Sequence, residues 1–269
     1  MKNVLCLSRI ALCLIILPVL FSSCRNVYGP ARLGMSTQVL SKPFVTGQEK
    51  PDTASTYISG DYTRSSYLSD ESEVPANDIV NAYTGRIYRS YVKNRFAYTF
   101  GGAFSLGNRT FPIEGTPLAQ PDFRFYAASV YGEIGFPLVR TRSINMYPLK
   151  AGVFYTYEYG ESMDFLEDLR NTGETYVYSN RHMPALVVSH ELMVDTHESF
   201  LIGVDLAQVF NLNAGHTTFS PEDDVSRTFY SLRASLLLAF DQFRITLGAT
   251  TGLHAGINAG FSARLGAKK

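Results

Sequence analysis

Residues 228–266 read TFYSLRASLLLAFDQFRITLGATTGLHAGINAGFSARLG. Tyr230, Leu232, Ala234, Leu236, Leu238 and Phe240 share one face of a period-two strand. Ser231, Arg233 and Ser235 take the other face, which Leu237 and Ala239 continue. After a tight turn at Asp241-Gln242 the alternation resumes: Phe243, Ile245, Leu247 and Ala249 against Arg244, Thr246, Gly248 and Thr250. A third run sets Ile257, Ala259, Phe261, Ala263 and Leu265 against Asn258, Gly260, Ser262 and Arg264. Such alternation over about ten residues marks β-strands between two unlike environments. One face is continuously apolar, and the other carries arginines among small residues. That arrangement suits a barrel with lipid outside and polar groups inside. A soluble lipocalin-type barrel has the opposite sense, with its apolar face inward. A soluble β-sandwich is the competing architecture, since its outer faces are also polar.

The same pattern recurs along the chain. It predicts strands at about 55–64, 78–92, 95–108, 123–137, 147–160, 184–195, 198–211, 227–240, 242–252 and 255–266. The fold class is therefore all-β: a transmembrane, antiparallel, up-and-down β-barrel of about ten strands, with roughly 8–12 compatible. Lys93-Asn94, Thr196-His197 and Asp241-Gln242 read as tight turns, and 138–146 is moderately short. The connections 65–77, 109–122, 161–183 and 212–226 are long and rich in Gly, Pro, Asp, Glu, Ser and Asn. Short turns at one end and long loops at the other match outer-membrane barrels, whose short turns face the periplasm. The connection near Gly252-Leu253-His254 is short for the long-loop end. Residues 163–170 are expected to make two helical turns, with Phe165, Leu166 and Leu169 capping the barrel mouth. The chain has 17 Tyr, 18 Phe and no Trp. Tyr62, Tyr91, Tyr147, Tyr159 and Tyr230, near strand ends, are expected to form interfacial girdles.

The first residues differ in kind. Lys2 and Arg9 precede an apolar run, Ile10 to Phe21, that is too short to span a bilayer as a helix. The run ends at Ser22-Ser23-Cys24, completing the plan of a secretory signal. Small residues directly before a cysteine resemble the lipobox of bacterial lipoproteins, and by that resemblance Cys24 becomes the lipidated first residue. The expected organisation is a lipoprotein signal peptide at 1–23, a lipidated tether at 24–52, interrupted by Gly29-Pro30, Lys42-Pro43 and Lys50-Pro51, and the barrel at 53–269. Cys6 and Cys13 fall within the signal, so the mature chain keeps one cysteine and has neither a disulfide framework nor a thiolate metal site. Removing Lys2 and Arg9 from 24 basic and 24 acidic residues leaves a net charge of −2, which argues against nucleic acid as a partner.

Ser22-Ser23-Cys24, Tyr28-Gly29-Pro30 and Phe44-Val45-Thr46-Gly47-Gln48-Glu49, leading into Tyr57-Ile58-Ser59-Gly60, together resemble the start of a Bacteroidota-type outer-membrane β-barrel lipoprotein. The terminal Lys268-Lys269 departs from the terminal aromatic common in proteobacterial barrels. The resemblance implies a lipid-anchored barrel in the bacterial outer membrane with no settled activity. Its implied partners are membrane lipid, lipopolysaccharide, and the machineries for barrel insertion and lipoprotein processing.

Period two sends Asp61, Arg86, Glu133, Lys150, Glu158, Glu191, Asp205, Arg233, Arg244 and Arg264 inward, an expected network of ion pairs in a largely filled lumen. Glu133 and Lys150, on strands joined by the 138–146 turn, are the best candidate pair. Ser189-His190-Glu191 carries residue types of a hydrolase, but His190 points opposite to its neighbours. Asp223, Asp224 and His216 share a loop, and Asp195-Thr196-His197 sits in a turn; solvated charges are the simpler reading of both. Three acidic clusters lie in the long loops: Asp70, Glu71 and Glu73; Asp164, Glu167 and Asp168; and Glu222, Asp223 and Asp224. The five histidines lack metal-ligand spacing, and no phosphate-binding glycine loop is present, so no metal or other cofactor is expected. The expected role is structural or surface-interacting, with an outer-membrane hydrolase or a small solute-uptake barrel as alternatives.

Overall fold

A computed structural model describes residues 53–67, 79–93, 95–110, 122–141, 144–172, 181–197, 200–212, 217–218, 224–225, 230–240, 243–252 and 254–268. The expected signal peptide and tether, with Cys24, lie outside the described residues. The elements are β1 (Thr53–Tyr67), β2 (Ile79–Val92), β3 (Ala97–Thr110), β4 (Asp122–Phe136), β5 (Val139–Arg140), β6 (Ile144–Tyr159), α1 (Glu161–Thr172), β7 (His182–His197), β8 (Phe200–Asn211), β9 (Thr217–Thr218), β10 (Asp224–Val225), β11 (Tyr230–Phe240), β12 (Phe243–Gly252) and β13 (His254–Lys268). Ten long strands pair antiparallel with their neighbours in sequence. β1 closes the ring against β13, and β4 pairs with β6 across the short β5 connection. β9 and β10 form a separate two-residue hairpin. The result is a closed ten-stranded up-and-down barrel.

The two ends are unlike. Short connections join β2 to β3, β4 to β6, β7 to β8 and β11 to β12 at one end, where Thr53 and Lys268 also lie. The other end carries the long connections and α1. The one-residue link between β12 and β13 is also there, so a full-length final strand needs no outer loop.

Burial along each strand is inverted relative to a soluble protein. Outward Ile87, Val130, Val153 and Phe261 are 58%, 61%, 59% and 62% exposed, whereas inward Arg109, Lys150 and Arg233 are 0%, 1% and 1% exposed. Among the described residues, no helix is long and apolar enough to cross a membrane.

Large and small side chains interlock inside the barrel. Tyr57 stacks on Tyr88 at 5.0 Å and Tyr131 on Phe154 at 5.2 Å, within one buried cluster. Met193, Leu201, Leu237 and Ala239 fill the turn end, so the apolar break in the β11 alternation serves a local core. Space for these groups comes from small neighbours. A Cβ on Gly135 would sit 2.8 Å from Lys150 Cγ, and one on Gly152 3.3 Å from Glu133 Cβ.

At the opposite end, α1 buries Met163 and Leu166 with Phe123 and Phe165 packed against them, and the two phenyl rings stack at 4.5 Å. Gly160, at φ 112°, makes the sharp turn from β6 into this helix. Outward aromatics band both ends: Tyr126 on Tyr159 at the long-connection end, and Tyr91 on Tyr98 at the turn end. Tyr147, expected in a girdle, is instead buried inside. A bulge between Tyr147 and Lys150, containing Pro148, resets the parity of β6 and turns Tyr147 inward. The side chain of Tyr230 lies outside the described residues.

Candidate functional site

Nine of the ten charged residues assigned to the interior by parity are buried in it: Asp61, Arg86, Glu133, Lys150, Glu158, Glu191, Asp205, Arg233 and Arg244. Arg264, toward the turn end of β13, is only half-buried. Sequence reasoning missed Arg109, because the expected strand ends at residue 108 and 109–122 reads as a loop. β3 in fact runs to Thr110, and Arg109 lies inside with no exposed surface. With Arg109 taking the place of half-buried Arg264, the buried set holds five acids and five bases. The available signal was parity, since Arg109 continues the inward series Ala103, Ser105 and Gly107.

The charges pair across neighbouring strands. Arg86 bonds Asp61, and Arg233 bonds Asp205. Lys150 Nζ stands 2.7 Å from Glu133 Oε1 and 2.6 Å from Glu191 Oε2, so one ammonium bridges two carboxylates on three strands. Each of these contacts is diagonal, because the residue directly opposite is small. Asp61 faces Thr84 and Arg86 lies two residues on. Glu133 faces Gly152, Lys150 faces Ser189 and Arg233 faces Ala207. Diagonal neighbours on one face are about 7–8 Å apart, within reach of long side chains. Arg109 reaches over β4 to Glu158 at 2.9 Å, nearer the long-connection end. Arg244 lies over the Tyr57 ring, 4.1 Å from its centroid, and donates to the phenol oxygen at 2.6 Å. Desolvating so many charges is tolerable only because each carboxylate meets a cation.

The Ser189-His190-Glu191 run does not assemble a catalytic unit. Ser189 and Glu191 are buried inside, while His190 faces outward and its Nδ1 bonds the Pro148 carbonyl at the β6 bulge. The imidazole thereby occupies a backbone acceptor that the bulge removes from the strand ladder. His216, Glu222 and Asp223 lie outside the described residues, as do Asp70, Glu71 and Glu73. Of Asp195, Thr196, His197 and Asp224 only the backbone is described. The acidic cluster on α1 is engaged: Arg181 donates to Glu167 at 2.8 Å from both Nε and Nη2, and to Asp164 at 2.7 Å. These bonds raise the Arg181 pKa above the usual guanidinium value. Among the described residues, no three His, Cys, Asp or Glu side chains are grouped to hold a metal ion.

The arrangement cross-links strands of the wall from the inside. No family model and no curated protein matches the chain. Solved structures similar to it include the transport unit of the autotransporter AIDA-I from Escherichia coli, at 10% identity and a TM-score of 0.46, covering 86% of this chain and 94% of that one. An outer membrane channel from Pseudomonas putida F1 is 7% identical with a TM-score of 0.44, covering 81% and 97%. The β domain of the Bordetella autotransporter BrkA is 10% identical with a TM-score of 0.42, covering 78% and 98%.

Proposed function

We propose that this chain is a bacterial outer-membrane β-barrel whose packed, charged lumen is closed, and whose role is structural or surface-interacting. The supporting observation is the inverted burial: apolar side chains cover the outside and ion pairs occupy the inside. Cys24 carries the lipid anchor. The tether joins β1 at the turn end, so the anchor and the short turns face the same leaflet. Lipid and lipopolysaccharide surround the wall, and the insertion and lipoprotein-processing machineries are its transient partners.

The test combines membrane fractionation with electrophoresis of unboiled and boiled samples. A folded barrel sediments with outer membranes and changes mobility on boiling, whereas a soluble β-sandwich remains in the supernatant. For orientation, a cysteine replacing Asp168 should react with an impermeant maleimide on intact cells, and one replacing Asn94 should not. Labelling at Asn94 alone reverses the proposed topology.

A further inference from the structure

The outward face of the β2–β3 hairpin at the turn end combines rings and cations. Tyr91 stacks on Tyr98 at 4.6 Å and on Phe100 at 5.9 Å, and Phe96 lies 6.0 Å from Tyr98. Arg89 lies over Tyr91, 4.9 Å from the ring centroid. Its Nε is buried and, among the described residues, has no hydrogen-bond partner. Its cross-strand neighbours are Thr56 and Phe100. The nearest outward residues on β1 and β3 are Ala54, Ile58 and Tyr98, so no carboxylate on these strands answers the guanidinium. Beyond Val92 the turn adds Lys93 and the exposed Arg95. The neighbouring β4–β6 connection adds Arg140 and Arg142 to the sequence of this end and contains no acid. The far end is opposite in sign: residues 68–78 contain Asp70, Glu71, Glu73 and Asp78 and no base.

An outward guanidinium at the edge of a lipid-facing wall is costly unless it reaches a counter-charge, and stacked tyrosines settle at the headgroup level. We infer that Arg89, Lys93 and Arg95, on the Tyr91–Tyr98 platform, form a binding site for the phosphate of an anionic phospholipid in the leaflet at the turn end. The planar guanidinium of Arg89, fixed over Tyr91, donates to phosphate oxygens. Lys93 and Arg95 approach the same group from the turn, and the aromatic platform carries the glycerol and upper acyl chain. This inference rests on the membrane-spanning reading.

The test uses purified protein in mixed micelles with equimolar phosphatidylglycerol and phosphatidylcholine, and native mass spectrometry to count retained lipid. A basic residue near an anionic surface contributes roughly a fivefold preference. The wild type should therefore retain phosphatidylglycerol over phosphatidylcholine by on the order of tenfold or more. Arg89→Gln/Lys93→Gln/Arg95→Gln should lose this excess. Arg95→Gln alone, at an exposed position in the turn, should lose part of it. Arg64→Gln/Arg124→Gln, outward arginines at the other end, should keep it. Equal retention by the triple variant, or equal loss in the Arg64/Arg124 control, overturns the site. Displacement of the lipid by millimolar inorganic phosphate overturns its assignment to a lipid headgroup. Heat-modifiable migration scores barrel insertion separately, so an inserted wild type without lipid preference refutes the site and leaves the membrane reading standing.

Discussion

Replacing Lys150 with methionine removes one charge and nearly preserves volume. The ammonium lies 2.7 Å from Glu133 and 2.6 Å from Glu191, with side-chain exposures of 1%, 5% and 0% for Lys150, Glu133 and Glu191. The variant leaves two carboxylates facing each other without their shared cation. Breaking a buried pair by removing one partner costs about 3–5 kcal/mol. With two carboxylates losing their shared cation, Lys150→Met is expected at the upper part of that range. Urea titration of the barrel in detergent micelles, followed by far-UV circular dichroism, measures it as a lowered midpoint with an unchanged slope. Adding Glu133→Gln to Lys150→Met removes one of the two facing negative charges and should recover part of the loss, and adding Glu191→Gln as well should recover more. These residues touch, so their effects are non-additive by design. A loss below about 1 kcal/mol for Lys150→Met would show that water screens the lumen as it does a surface pair. A double variant no more stable than Lys150→Met alone would refute the pairing.

Three further outcomes are expected. Purified protein in a planar bilayer should give no stable porin-like current, because buried pairs and aromatics fill the lumen; sustained large conductance would overturn the closed-barrel proposal. Arg181→Lys should increase amide exchange in α1, because lysine cannot reproduce the two-pronged contact with Glu167. A cation whose pKa is raised on folding stabilises below its unfolded pKa and loses that contribution only as pH rises through the folded one. Up to a pH of about 10, below the ordinary values of about 12.5 for arginine and about 10.4 for lysine, α1 protection factors should therefore not fall with pH in either protein. Cys24→Ala should abolish incorporation of radiolabelled palmitate, and equal labelling of the variant and wild type would remove the anchor from the proposal.

Parity made the ten strands and most of the interior legible in sequence. It depends on the strand period and not on where a strand starts, so errors of a few residues at the ends left Asp61, Arg86 and Asp205 on the right face. It failed where the period breaks or the strand outlasts its apolar pattern. Pro148 was the visible sign of the β6 bulge, yet nothing in sequence fixed which residues it would skip, and Tyr147 was placed on the wrong face. Arg109 was lost because two polar neighbours ended the alternation before the backbone ended the strand. The second partner of Lys150 was illegible for a different reason. Glu191 is on β7, and its diagonal position depends on the same bulge and on inter-strand register, neither of which is written in one strand's sequence.

Register is where the charges matter most. A one-residue slip flips every side chain to the wrong environment and is excluded by the alternation itself. A two-residue slip preserves both faces, so something else must forbid it. The diagonal pairs do this at four seams: β1–β2 through Asp61 and Arg86, β4–β6 through Glu133 and Lys150, β6–β7 through Lys150 and Glu191, and β8–β11 through Asp205 and Arg233. Gly135 and Gly152 reinforce the second of these, since a slip would bring larger residues against Lys150 and Glu133. If pairing and not mere charge content is what counts, exchanging partners should be tolerated better than losing one. Arg86→Asp alone sets two acids side by side in the interior and should cost at least the roughly 3–5 kcal/mol of a broken buried pair. Asp61→Arg in the same molecule restores the opposite charges and should recover a large share. Recovery will be incomplete, because position 61 faces Gly260 and Thr84 and a longer side chain must repack there. Urea midpoints of the two single variants and the exchange variant form a complete cycle. An exchange variant less stable than both singles would show that packing around Asp61 and Arg86, and not their attraction, sets the register of this seam.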